Sequence, residues 1–380
     1  MLKNKIYSYL FNEILKNFIT VLLTFTAIAW TVRAVNFLEL MVDDGYNSLV
    51  YFKYSVLNIP NIVARFVPLS FLISLTISII RFEKKQELLI LWTTGLNKLK
   101  VVNIFLLIAF FLTLFQIILS SLVNPFLLNK SRSLLRDTAS VQFNSVLRSN
   151  DFSDAFKGIT FYVDKKNDYN ELINIFIKDQ GGNFNTIVGE ASKSKDTIIV
   201  AKKGFINNGK LILFNGIIQT LNNSNEFKNI QFEKTELSLL GLSTRTVKQP
   251  KIQETSSSTL LRCVLNQNNN LNLNKCTKNY KGEAVQNLLR RLGSPMYIPL
   301  ITIIISFLLV YKEKKKFNFL KKYILFFLSF LILVIAEILL KYTGVSSITA
   351  ISYFILPLIM SIFFYLYLLK KTIYEKGHDE

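Results

Sequence analysis

Three apolar spans, a long polar stretch with strand-like alternation, and three further apolar spans make up the chain. The spans run over 14–38, 56–80, 101–123, 296–311, 323–340 and 351–369. A bilayer core takes about 20 consecutive apolar residues per helix. In hydrocarbon every backbone donor and acceptor must be satisfied within its element, which predicts helices for all six. The pattern is that of an α-helical membrane protein with six transmembrane helices, three plus three, around one inserted domain.

Between the two triplets the period changes. Residues 159–163, 172–178, 197–202, 210–214, 217–221 and 229–232 read as short strands. They are divided by turn chemistry at Gly181-Gly182, Asn207-Asn208-Gly209 and Asn215-Gly216. Short strands at this spacing predict an all-β, jelly-roll-like domain. The expected organisation is helices 1–3 over 1–124, with a short surface helix at about 83–99. The β domain then fills 125–285, with an Asn/Ser-rich loose linker at about 254–279, and helices 4–6 and a short tail fill 286–380.

Composition agrees with a membrane chain: 51% hydrophobic residues, 32 Phe and a mean hydropathy of +0.34. The net charge of +20 would point to nucleic acid in a soluble protein. No basic–aromatic motif accompanies it, and a nucleic-acid partner is excluded. The placement of the charge is more telling than its sum. Lys3 and Lys5 precede the first span, Arg81, Lys84, Lys85, Lys98 and Lys100 separate the second and third, and six lysines between 312 and 322 separate the fourth and fifth. By the positive-inside rule both termini are cytoplasmic and the β domain is outside. The first span is too long for a signal-peptide core and no small-residue cleavage site follows, so it is expected to stay as a helix.

Chemistry of the enzymatic kind is absent from the pattern. The single histidine, His378, lies in the polar tail, and no catalytic or metal-binding constellation is possible with it and two distant cysteines. No cofactor is expected. Gly204-Phe205-Ile206-Asn207-Asn208-Gly209-Lys210-Leu211 imitates a phosphate-binding loop, but Leu211 replaces the Ser/Thr and a strand follows where a helix is needed. Cys263 and Cys276 fall on the exterior side, where they either form a bridge, with an effect of roughly 3 kcal/mol, or remain two thiols in a loose insert. Mid-membrane carboxylates that would mark an ion-driven carrier are scarce; Glu337 has Lys341 one turn on as an expected i,i+4 partner. A transporter without its own engine takes energy from a partner. The surface helix, with Glu87, Leu88, Leu91, Trp92, a Gly95 cap and Lys98, reads as a docking helix for a cytoplasmic ATPase, or as an interfacial helix with a packing role.

Taken in order, several segments resemble the lipopolysaccharide export permeases of the LptF/LptG (YjgP/YjgQ) type. They are Tyr9-Leu10-Phe11-Asn12-Glu13, Glu87 with Gly95-Leu96-x-Lys98, and Arg290-Arg291-Leu292-Gly293-Ser294-Pro295. The resemblance extends over nearly the whole chain and is closer to the F subunit. It implies a permease subunit of an ABC transporter that extracts lipopolysaccharide from the inner membrane. It also implies a homologous LptG-like second subunit, a cytoplasmic ATPase dimer and an LptC/LptA-like periplasmic bridge. Glu87 matches the family's acidic docking position. Arg33, Arg65, Arg290, Arg291 and Lys341 form an expected basic collar for lipid phosphates, against the alternative of snorkelling to the interface. The alternatives at the level of function are another ABC-type permease, or a membrane-anchored periplasmic binding or scaffold protein. Phe161, Val163, Ile175, Ile177, Ile199, Leu211, Leu213 and Ile218 should line the β domain's interior, as a conduit or as a closed core.

Overall fold

The computed structural model describes residues 2–42, 46–139, 149–156, 158–167, 171–180, 196–207, 210–221, 227–238, 251–265, 276, 278–309 and 318–376. Six helices among them are long and apolar enough to cross a membrane, by length and composition. The helices are α1 (Leu2–Phe37), α2 (Glu39–Val42), α3 (Ser48–Leu57), α4 (Ile59–Lys84), α5 (Glu87–Thr93), α6 (Lys98–Ile118) and α7 (Asn124–Ala139) before the strands. After them come α8 (Ser257–Leu265), α9 (Lys278–Leu292), α10 (Tyr297–Ser306), α11 (Asn318–Tyr342) and α12 (Ser347–Lys376). The chain divides into two compact units. One comprises Met1–Thr31, Asn58–Leu128 and Lys251–Glu380; the other comprises Val32–Leu57 and Asn129–Pro250. The boundaries expected at 125 and 286 fall inside α7 and α9. The helices continue past the apolar stretches that revealed them, because a helix need not end where its hydrophobicity does.

The helical unit is built around α4, α6 and α10. Phe71, Phe82, Phe105, Ile298 and Ile305 are almost wholly enclosed, with Leu10, Ile14 and Phe18 of α1 packed on one side. Four prolines interrupt its spans, and each frees the carbonyl four residues before it, since proline has no N–H to donate. In hydrocarbon such a carbonyl needs another donor, and each finds one on a different element. Pro68 frees Ala64, which accepts from Gln116 Nε2 at 3.1 Å. Pro125 frees Ser121, which accepts from Ser257 Oγ at 2.7 Å. Pro295 frees Arg291, which accepts from Ser120 Oγ at 2.9 Å. Pro357 frees Tyr353, which accepts from Tyr297 Oη at 3.4 Å. The prolines that break helical hydrogen bonds thereby supply the links between helices. The second lies just after a π-turn over Leu119–Val123 that joins α6 to α7.

The linker expected to be loose is ordered where it is described. A 3₁₀ turn (Ile252–Glu254) leads into α8, with Ser256 Oγ accepting from the Thr259 N–H at its start. Cys263 on α8 is buried and disulfide-bonded to Cys276, their Cα atoms 6.0 Å apart. The polar composition of this segment hides the hydrogen bonds that hold it, which are made to a distant arginine described below.

The second unit holds one antiparallel sheet: β1 (Asp151–Phe156), β2 (Ile159–Lys166), β3 (Glu171–Asp179), β4 (Asp196–Asn207), β5 (Lys210–Leu221) and β6 (Phe227–Ser238). The strands lie in sequence order, a meander, and the described residues show no jelly-roll crossover. Asn207 pairs with Lys210 across a two-residue connection, in place of any phosphate loop. The turn expected at Asn215-Gly216 is instead the middle of β5. Asn215 and Asn174 both have left-handed backbones, φ 52°. Their neighbours pair without a change of register, which places Asp164, Asn174, Lys202, Asn215 and Glu233 in one row across the sheet. Inward-facing positions change parity at this row: Leu211 and Leu213 before it, Ile218 and Thr220 after it in β5. The sheet therefore folds along a line of polar residues. At Gly216 a Cβ would lie 2.3 Å from the Val200 carbonyl, so the crease requires glycine there. All eight residues named above as the interior fall in a single buried cluster. A smaller cluster joins Leu40, Tyr46 and Leu135, where Tyr46 Oη donates to the Leu135 carbonyl at 3.2 Å.

Candidate functional site

Two places in the helical unit carry organised polar chemistry. The first is the corner formed by α5. Gln86 enters it with φ 59° and Gly95 leaves it with φ 77°. The Gly95 and Leu96 N–H groups return to the Trp92 and Leu91 carbonyls at 3.1 Å each, a Schellman termination sealed by buried Leu96. Glu87 at the first position receives Tyr9 Oη at 3.2 and 3.3 Å and lies 3.7 Å from Lys85 Nζ. Glu83–Lys322 (2.6 Å) and Arg81–Glu13 (2.5 Å) tie the same end of α4 to α11 and α1. A groove of about 430 Å³ runs between α1 and α5, with Tyr9, Glu87 and Ile90 on its walls.

Of the two sequence readings of α5, the docking helix put Leu88, Leu91 and Trp92 in a partner's pocket and the interfacial helix gave them a packing role. The structure turns all three inward. Leu88 is a member of the bundle core and Leu91 and Trp92 pack against it, because positions spaced i, i+3, i+4 share one face and that face meets α1 and α4. The outward apolar residues are Leu89 and Ile90, 57% and 58% exposed. The amphipathic period was legible, but which side faces inward was not. Lys98 opens α6 behind Asn97, whose side chain accepts the Leu99 N–H at 3.2 Å.

The second place is a polar cavity of about 340 Å³ toward the opposite end of α4, enclosed by α4, the α6–α7 junction, α9 and α11. Arg65, Arg290, Gln116, Asn124 and Glu337 line it. Arg290 lies 3.4 Å from Glu337, so the carboxylate expected to pair with Lys341 on its own helix pairs across to α9. Arg291 also borders the cavity but is only 5% exposed. It donates to Ser257 Oγ at 2.7 Å and to the carbonyls of Thr255, Gln253 and Ile252 at 3.0, 3.1 and 3.4 Å. These contacts fasten the segment before α8. Lys341 is exposed on α11 and Arg33 lies half-buried in the other unit; neither lines the cavity. Of the five basic residues grouped from the sequence, the structure brings Arg65, Arg290 and Arg291 together.

Two lining residues escaped the sequence reading. Gln116 and Asn124 are 4% and 6% exposed, and Gln116 Oε1 and Asn124 Oδ1 have no hydrogen-bond partner among the described residues. For Gln116 the available signal was an amide near the end of the very apolar α6.

The family model for the lipopolysaccharide export system permease LptF/LptG matches residues 8–371 of this chain. A protein of Rickettsia prowazekii (strain Madrid E), described as uncharacterized protein RP871, is 26% identical over 171 residues. That match covers 45% of this chain and 47% of the relative, about half the length of each.

Proposed function

The chain belongs to the LptF/LptG family of lipopolysaccharide export permeases, and from that premise we propose that it is one transmembrane half of an ABC transporter that lifts lipopolysaccharide out of the inner membrane. The observation that carries this reading is the cavity between α4, α9 and α11. Arginines in a membrane span are costly unless they face a cavity or a partner, and Arg65 and Arg290 border one. Guanidinium groups suit bidentate contact with phosphate. The lipid's phosphate displaces Glu337 from Arg290, with Arg65 as the second cation.

The remaining assignments follow the same reading. Both termini are cytoplasmic and the sheet is periplasmic, by the placement of lysines. A cytoplasmic ATPase dimer docks on the α5 corner, contacting Glu87, Leu89 and Ile90, while the Tyr9 contact passes the movement to α1. An LptG-like subunit pairs along α1 and α11, whose apolar windows are buried over only 11% and 17% within this chain, against 72% for α9–α10. The folded sheet forms a jelly-roll wall with its counterparts, and an LptC/LptA-like bridge adds to one of its edges, β1 or β6. The acidic first turn of α5 and the Gly95-Leu96-x-Lys98 ending support the F-type subunit.

Native mass spectrometry of the detergent-extracted complex tests the reading. The expected particle contains this chain, one second permease, two ATPase copies and a phosphorylated lipid. Arg65→Glu should lower lipid occupancy by about tenfold. A lone monomer without ATPase or lipid would refute the transporter and leave a membrane-anchored scaffold.

A further inference from the structure

We infer that Cys263 and Cys276 position one wall of the cavity, which is held in place only after a disulfide donor has oxidised the pair, with Cys276 as the sulfur that the donor reaches. The inference rests on the periplasmic placement and the lipid cavity proposed above, and adds a maturation step and a class of partner to them.

α8 is fastened to α9 at both of its ends. At its start, Arg291 in the last turn of α9 holds the acceptors between residues 252 and 257. At its end, Cys263 is bonded to Cys276, two residues before α9 opens at Lys278. Between the fasteners Leu260 and Cys263, one turn apart, are buried as α8 packs along α9. α8 has only nine residues, too few to hold a helix in water unaided, so its place depends on what ties it down. The arginine contacts form with the fold itself. The bridge requires a reaction.

The bridge bears on the cavity through Ser257, the first residue of α8. Its hydroxyl accepts from Arg291 at 2.7 Å and donates to the Ser121 carbonyl at 2.7 Å. It thereby joins the 252–257 segment to the α6–α7 junction. Gln253 on the first and Ser120 and Asn124 on the second line the cavity. An α8 that leaves α9 carries Ser257 with it and separates these two walls.

The reaction is thiol–disulfide exchange with a dithiol–disulfide oxidoreductase on the periplasmic side. One cysteine, as thiolate, attacks the donor's disulfide, breaking it and forming a mixed disulfide. The second attacks that bond, the Sγ–Sγ bond forms, and the donor leaves as a dithiol carrying the two electrons and two protons. Burial assigns the order. Cys263 is 5% exposed and Cys276 is half-buried. Once α8 has docked, a folded donor therefore meets Cys276, and Cys263 is placed to resolve the mixed disulfide. Oxidation follows docking and makes it permanent.

Cys276→Ser tests the fastener, because it breaks the bridge and leaves the buried Cys263 unaltered. In the lipid-free full complex in detergent, residues 258–265 should exchange hydrogen about a hundredfold faster than in the wild type, with α4 and α6 unchanged. Occupancy by phosphorylated lipid in native mass spectrometry should fall several-fold. Reducing the wild type with a phosphine should reproduce both effects and leave the variant as it was. Unaltered protection of 258–265 under both treatments overturns the inference. So does faster exchange with full lipid occupancy, which would leave a bridge without bearing on the cavity. A wild type that holds no lipid, or holds it equally with Arg65→Glu, means that the lipid site has failed; exchange and trapping then decide the bridge by themselves. For trapping, a donor with a Cys-x-x-Ala active site is expressed in the same cells. Cys263→Ser should accumulate a mixed disulfide with it through Cys276, and Cys276→Ser should not. The reverse pattern, or two alkylatable thiols in acid-quenched wild-type cells, overturns the inference.

Discussion

Replacing Arg291 by Met separates a structural clamp from a lipid ligand. The side chain is 5% exposed and its guanidinium donates to four acceptors between residues 252 and 257. Hydrogen bonds from a charged donor contribute about 1.5–3 kcal/mol each. Four of them cannot simply be added, because they share one side chain and the 3.4 Å contact is long. Against them stands the cost of burying the guanidinium, which Met does not incur. Leaving buried carbonyls without a donor costs about 1–3 kcal/mol each, and after that offset the expected loss for Arg291→Met is about 3–5 kcal/mol. Arg291→Lys keeps the charge but has no planar fork, so it should recover only a part of it. Hydrogen–deuterium exchange followed by mass spectrometry, on lipid-free complex in detergent, gives the local readout. Residues 251–265 should exchange several hundred-fold faster in Arg291→Met, by about 1.4 kcal/mol per decade, with little change in α4 or α6. If protection of this segment is unaltered without lipid, and lipid occupancy falls instead, the clamp is wrong and Arg291 belongs with Arg65.

The α5 corner and the sheet give two further tests. Leu88→Ala should destabilise the bundle by about 2–5 kcal/mol, whereas Leu89→Ala should change stability by no more than about 0.5 kcal/mol. The double variant Leu89→Ser, Ile90→Ser and the single variant Glu87→Lys should each abolish ATPase co-purification with the permease still folded and inserted. Undiminished co-purification in both would remove α5 as the docking element. Photocrosslinking residues at Phe161 and Leu213 address the sheet: a closed core yields no lipid adducts during ATP-driven export while adducts form in the spans, and ATP-dependent adducts at either position would show a conduit.

Much of this protein is determined by its sequence alone. Six spans long enough for hydrocarbon force six helices, because a backbone without water has few other solutions. Gly95 closes α5 with a left-handed turn that few residues other than glycine adopt, and the alternating apolar positions of the second unit name eight of the twelve residues of its buried cluster. The prolines at 68, 125, 295 and 357 are likewise legible as carbonyls that must be satisfied elsewhere. What satisfies them is decided only in three dimensions. Gln116, Ser257, Ser120 and Tyr297 lie 48, 132, 175 and 60 residues from the prolines they answer, and no local pattern links them. The same limit explains the other differences. Leu88, Leu91 and Trp92 share a face by helical period, but whether that face meets the core or a partner depends on where α1 and α4 pack. Asn215-Gly216 has the composition of a turn, and becomes a crease because Asn174 stands level with it on β3. Arg290 and Arg291 are adjacent and chemically identical, yet one faces the cavity and Glu337 while the other is drawn into a shell of carbonyls. Adjacent positions on a helix point about 100° apart, and the surrounding elements decide which direction is wet.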